Sequence, residues 1–230
     1  MKAVLFDLGN TLIKYDVGSP EDVFRRVLAS MGISRAVDEI KQALAITEKE
    51  AEKLGLLSAY GRMPCEEYWT RWDALVLKHL NITDDGERAR LVHSTWFNHI
   101  DCAPYPETEE VLQKLRKMKM KLGLITTAYE EEVDYILENA NIPKKSFNVI
   151  VGADTIGKAK PHPEAFRHAL RTLGVAPSEG LFIGDRIDID YKAAERVGIS
   201  AMLVRREEDC FNEGYLNVIG NLREIFEHIT

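Results

Sequence analysis

The chain has 230 residues, with 30 Lys and Arg against 37 Asp and Glu, a formal net charge of −7. Hydrophobic residues make up 45% and charged ones 29%, with 15 Gly and 8 Pro. These values exclude collagen-like, low-complexity and broadly disordered chains, and the acidic balance speaks against a general binder of nucleic acid or anionic membrane. The length suits one large domain or one domain carrying an insertion. No apolar run reaches the roughly 18 residues that a membrane span needs. The N-terminal apolar run is stopped by Asp7, which is too short for a signal peptide. Cys65, Cys102 and Cys210 are odd in number and far apart, without metal-ligand spacing. They read as idle thiols in a reducing cytoplasm.

In chain order, residues 2–6 form a short apolar run halted by Gly9, which reads as a buried strand. Four similar runs recur at 122–125, 149–151, 181–183 and 201–204. Amphipathic helical patterns over 107–117, 130–139, 164–173 and 190–197 alternate with them. Such alternation predicts an α/β fold with a parallel sheet covered on both faces. Residues 17–99 differ and show no convincing strand. Ser19-Pro20-Glu21-Asp22 is a helix start, Val23, Val27, Leu28 and Met31 recur at helical spacing, and Gly32 is a stop. Further helices are predicted over 36–54, 65–79 and 84–97. The expected organisation is an α/β core of residues 1–16 and 100–230 interrupted by an all-helical module, 17–99. Ala103-Pro104-Tyr105-Pro106 reads as the returning linker, and Asn221 with Glu224 as the cap of a final helix.

Candidate chemistry gathers at the ends of the predicted strands. Asp7 ends the first, followed by Leu8-Gly9-Asn10-Thr11. Thr126 and Thr127 end the second. Lys160 stands in Lys158-Ala159-Lys160-Pro161-His162, and Asp185 and Asp190 stand in Gly184-Asp185-Arg186-Ile187-Asp188-Ile189-Asp190. In a parallel sheet these four sets share the edge where ligands bind. Each has a plain structural alternative. Asp7 caps a turn, Thr126 ends a strand, Lys160 is solvated like Lys158, and Asp190 opens the next helix. Arg186 is either a phosphate contact or a surface ion-pair partner. Asp188 faces solvent, and His162 is structural. Tyr60, Trp69 and Trp72 either line a pocket or pack a core.

These four stretches, in this order, resemble the motifs of the haloacid dehalogenase-like (HAD) hydrolase superfamily. The resemblance spans nearly the whole chain outside the inserted helices. It implies a Rossmann-like sheet of order 5-4-1-2-3 and identifies the insertion as similar to a helical C1 cap that closes over the core and sets specificity. By the same resemblance Asp7 is the nucleophile of a phosphatase and forms an aspartyl phosphate. Mg²⁺ is held by Asp7, Asp185 and the Gly9 carbonyl, with Asp190 orienting Asp185 or a bound water. Lys160 neutralises charge, Thr126 donates its hydroxyl to the phosphoryl group, and backbone N–H groups around Leu8, Gly9 and Thr127 complete the anion cradle. The implied substrate is a small phosphorylated metabolite, with no nucleic-acid or membrane partner. The sequence leaves the oligomeric state open.

One position departs from the pattern. The family commonly places a second Asp two residues after the nucleophile, as general acid and base, and here that residue is Gly9. General acid–base help is typically worth 10²–10⁴-fold, or about 3–5 kcal/mol of barrier. Three readings stay open: a slow phosphatase, a proton supplied by Asp16 or a Glu of the helical module, or a leaving group that needs little protonation. A 2-haloacid dehalogenase, which attacks carbon without a metal, and a catalytically silent phosphate-binding protein are the alternatives to a phosphatase.

Overall fold

The computed structural model describes residues 1–15, 18–206 and 217–229. Asp16 and Cys210 lie outside them. Two compact units emerge: Met1–Lys14 with Ala103–Thr230, and Tyr15–Cys102.

The first unit is built on β1 (Ala3–Phe6), β4 (Lys121–Ile125), β5 (Val149–Val151), β6 (Gly180–Gly184), β7 (Ser200–Val204) and β8 (Val218–Ile219). They form one sheet in the order β5-β4-β1-β6-β7-β8, with every described pair parallel. The five expected strands take the expected order, and β8 extends the sheet beyond β7. Two residues are too few to announce a strand in sequence. Ala-Val-Leu-Phe of β1 is buried at every position, because both neighbouring strands and the helical layers enclose it. Burying each of its larger side chains contributes about 1.5–3 kcal/mol.

Helices α5 (Thr108–Lys117), α6 (Glu130–Asn139), α7 (Pro163–Leu173) and α8 (Lys192–Glu195) connect these strands. The strongest amphipathic pattern belongs to α7. Its Ala165, Phe166, Ala169, Leu170 and Leu173 face the core, where Phe166 meets Phe182 of β6 edge-to-face at 5.1 Å. His162 caps it through Nδ1, which accepts from the Glu164 N–H at 3.1 Å, and Gly174 ends it at φ 61°.

Two sequence expectations are corrected here. The expected helix over 190–197 begins instead as a π-helical turn, Ile187–Tyr191, and only Lys192–Glu195 is α-helical. The Tyr191 N–H reaches back five residues to the Arg186 carbonyl at 3.2 Å, which makes the turn wide, and the Asp190 carboxylate takes the Arg186 N–H at 3.1 Å. The final helix is a 3-10 turn, Leu222–Glu227, capped by Asn221 and Glu224 as the sequence indicates.

The second unit contains α1 (Pro20–Ser30), α2 (Val37–Lys53), α3 (Cys65–His79) and α4 (Glu87–Trp96). Ser19 and Asp22 form a reciprocal capping box at the start of α1. Val23, Phe24, Val27 and Leu28 of α1 pack with Ile40, Ala43, Val76, Leu77, Ala89 and Val92 into this unit's own core. Tyr60, Tyr68, Trp69 and Trp72 stack edge-to-face on one another, at centroid distances of 5.0 to 6.4 Å. The chain passes between the units through β2 (Ile13–Tyr15) and β3 (Cys102–Pro104), a separate two-stranded sheet. The segment read as a plain linker is therefore partly strand.

Candidate active site

The sheet order reverses at β1, with β4 on one side and β6 on the other. That reversal opens a crevice at the carboxyl ends of the strands. Asp7 leaves β1 there, held by its N–H to the Ile183 carbonyl at 2.8 Å. The chain then turns sharply. Leu8 carbonyl accepts from the Leu12 and Ile13 N–H groups, and Asn10 sits at φ 53°, a left-handed conformation that Asn tolerates.

Lys160 arrives from the loop after β5. Its ammonium donates to Asp7 Oδ1 and to Asp190 Oδ1, each at 2.6 Å. The Lys160 and Asp190 side chains are each 1% exposed, and that of Asp7 is 11%. Asp185 lies beside them, half-buried, and takes a hydrogen bond from Asn10 Nδ2 at 3.4 Å. Carboxylate oxygens of Asp7, Asp185 and Asp190 lie within 4.8 Å of one another. Gly184 makes this closeness possible. A Cβ there would stand 2.5 Å from the Asp190 side chain.

Burial pushes the Asp7 carboxyl up to about 6, aided by the charges of Asp190 and Asp185 and opposed by Lys160. Burial and Asp190 likewise raise Asp185. Burial alone would lower Lys160, but Asp7 and Asp190 more than offset it and hold the ammonium above its ordinary range. Three carboxylates facing one ammonium leave a deficit of positive charge. A hard, oxygen-preferring divalent cation fits that deficit and that donor set.

Asp190 lies in the cluster where the sequence expects it. Its bonds go to Lys160 and to the Arg186 N–H rather than to Asp185. Thr126 is buried at the end of β4, where its Oγ1 accepts from the Ala128 N–H at 3.2 Å. It makes no hydrogen bond to the acidic cluster among the described residues, and its own hydroxyl proton is still to be donated. Thr127 is half-buried next to it, and Gly9 offers only backbone groups. Arg186 is exposed, and Asp188 pairs with Lys192 at 2.9 Å on the surface. Two residues received no individual role from the sequence: Asn10, which reaches Asp185, and buried Thr11, whose hydroxyl donates to Asp7 Oδ2 at 3.3 Å. Their positions three and four residues after Asp7 were the available signal.

A buried carboxylate paired with a lysine, beside two more acids, thus sits at the switch point of a parallel sheet, where open α/β folds bind their ligands. A family model described as haloacid dehalogenase-like hydrolase matches residues 1–198, and the chain belongs to that family. It is 31% identical over 212 residues to a glyceraldehyde 3-phosphate phosphatase of Methanopyrus kandleri, covering 90% of this chain and 84% of the relative. A phosphoserine phosphatase of Thermus thermophilus is 29% identical over 251 residues, with 98% of each chain covered. Among solved structures, a 2-haloacid dehalogenase of Pseudomonas syringae pv. Tomato superposes with a TM-score of 0.73 at 21% identity. It covers 99% of this chain and 97% of its own and shows a shared fold. The family makes this chain a hydrolase, and the relatives named here are phosphatases.

Proposed function

We infer that the protein is a Mg²⁺-dependent hydrolase of small phosphomonoesters that works through an aspartyl phosphate on Asp7. The observation that carries this reading is the Asp7–Lys160–Asp190 bridge with Asp185 alongside. An Asp7 carboxylate oxygen attacks phosphorus, and the bond from phosphorus to the leaving oxygen breaks with its electron pair on that oxygen. Water then cleaves the acyl phosphate, releasing inorganic phosphate and restoring the carboxylate. Lys160 keeps Asp7 ionised at neutral pH and offsets the charge of the incoming phosphoryl group. Thr126 donates its hydroxyl proton to a phosphoryl oxygen, and the N–H groups of Leu8, Gly9 and Thr127 cradle the others. Asp7, Asp185 and the Gly9 carbonyl would hold Mg²⁺, with Asp190 in support. When bound, Mg²⁺ supplies the positive charge that lets a carboxylate approach a phosphate dianion.

Gly9 has no side chain to protonate the leaving oxygen, and Asp16 lies outside the described residues. Substrates with good leaving groups should therefore be turned over best. The three-carbon and two-carbon esters named by the relatives, glyceraldehyde 3-phosphate, phosphoserine and phosphoglycolate, form the first substrate panel. The helical unit serves as the cap in this proposal, and Cys65 and Cys102, which form no disulfide among the described residues, suit a reducing cytoplasm. No described helix is long and apolar enough to cross a membrane.

A dehalogenase is the second reading, favoured only by the shared fold. Attack on carbon would also use the Asp7 carboxylate, but it gains little from Asp185 beside it, since two like charges repel. The deciding experiment measures phosphate release from p-nitrophenyl phosphate with and without Mg²⁺, and halide release from a 2-haloacid. Mg²⁺-dependent phosphate release that disappears in Asp7→Asn supports the proposal. Halide release without phosphate release overturns it, and neither activity marks a silent site.

A further inference from the structure

Two consecutive arginines follow β7, and neither belongs to the reacting cluster. Neighbouring side chains on an extended strand diverge, so the two reach different loops. Arg205 Nη1 donates to the Asp185 carbonyl at 2.5 Å. Arg206 Nη2 donates to the Thr11 carbonyl at 2.6 Å. These are the loop that carries Asp185 and Asp190 and the loop that carries Asp7.

Arg206 is itself tightly held. Its Nη1 donates to Glu107 Oε1, and its guanidinium lies 3.6 Å above the centre of the Tyr105 ring. Glu107 is buried, and its Oε1 also takes the Leu222 N–H at 3.3 Å. Burial pushes the Glu107 carboxyl up, but the Arg206 bond, the backbone N–H groups and the Arg206 charge together outweigh it and keep the carboxyl below its ordinary range. The neighbouring Leu12 carbonyl is taken by Thr108 Oγ1 at 2.7 Å and by the Tyr105 N–H at 3.0 Å. The stretch after Asp7 is thus fixed by its carbonyls, while the Thr11 hydroxyl points back at Asp7 Oδ2.

We propose that Arg205 and Arg206 form a two-loop clamp: Arg206, braced by Glu107, positions the nucleophile Asp7 through Thr11, and Arg205 positions Asp185 through its carbonyl. The roles of Asp7 and Asp185 rest on the phosphatase reading, whereas the clamp itself rests on the two guanidinium contacts. A planar guanidinium with five fixed donors suits the task, since it holds a carboxylate and a carbonyl at once and stacks on an aromatic ring. Misplacing a reacting group by about 1 Å costs on the order of 10²-fold in rate. Loosening the support of a metal-binding carboxylate costs about 10–100-fold in metal affinity.

The test uses the full chain. Removing Arg206 alone strands a buried carboxylate, so Glu107→Gln with Arg206→Met is made alongside Arg206→Lys and Arg205→Met. Arg223→Gln, which breaks an exposed pair with Glu110, is the control. With p-nitrophenyl phosphate, the double variant should lose about 10- to 100-fold in kcat with KM within about threefold, and Arg206→Lys should recover part of that loss. Arg205→Met should raise the Mg²⁺ concentration for half-maximal rate about tenfold. Amide hydrogen exchange over residues 8–13 should quicken in the double variant and stay unchanged in the control. Folded variants with wild-type kcat, wild-type Mg²⁺ response and unchanged exchange overturn the clamp. If the wild-type protein releases no phosphate, the phosphatase reading fails and exchange alone decides the clamp.

Discussion

The two units treat their buried carboxylates in opposite ways. In the α/β unit, the buried Asp7, Lys160 and Asp190 pair with one another, and Glu107 pairs with Arg206. In the helical unit, Asp73 on α3 is buried without a hydrogen bond or ion pair among the described residues. Thr47 Oγ1, Trp69 Nε1 and Thr70 Oγ1 are likewise buried there without a hydrogen-bond partner among the described residues. A satisfied network fixes geometry in advance, and an unsatisfied group costs stability until something bonds it. The first pattern is what a reacting centre requires. Arg206 Nε of the α/β unit is also buried without a hydrogen-bond partner among the described residues, so the contrast is one of carboxylates.

Four substitutions break or sharpen this contrast. The largest effect is expected at Asp7, where Asp7→Asn keeps the shape but removes the carboxylate proposed as the nucleophile. Turnover should fall by about 10³-fold or more with the circular dichroism spectrum unchanged. Substantial residual turnover would show that another group attacks.

Lys160→Met strands two buried carboxylates and should lower stability by about 3–5 kcal/mol in urea unfolding. Added Mg²⁺ should restore part of that loss, because a cation can take over the charge. A variant as stable as the wild type would mean that the bridge contributes nothing to the fold. Gly184→Ala drives a methyl group into Asp190 and should cost about 1–3 kcal/mol while lowering activity. Unchanged thermal stability and rate would show that Asp190 can retreat freely.

The smallest effect is expected at Asp73. Burial holds its carboxyl well above the ordinary value of 3.8. In the unfolded chain it ionises near 3.8, and in the folded chain only at higher pH. Between those points the native state binds more protons, so this group's contribution to stability is greatest in acid and falls as pH rises. Asp73→Asn should remove that slope and raise the melting temperature at pH 8 by a few degrees, on the order of 1 kcal/mol. Parallel melting-temperature curves for variant and wild type across pH 4–8 would show that the Asp73 carboxyl is solvated.

The sequence by itself determined the alternation of strands and helices, the interrupting helices and the places where Asp7, Lys160, Asp185 and Asp190 fall. Those follow from local rules: apolar period, capping residues, and acids set at the ends of apolar runs. Tertiary structure decided the rest. Only the fold shows that Asp190 binds Lys160, because the two stand 30 positions apart and arrive on different loops. Two-residue β8 exists only because β7 offers it a parallel edge. Arg205 and Arg206 fall in no motif of a chain rich in Lys, Arg, Asp and Glu. Their meaning lies in contacts with residues 20 and 195 positions away, and no sequence pattern encodes which distant carbonyl a guanidinium will meet.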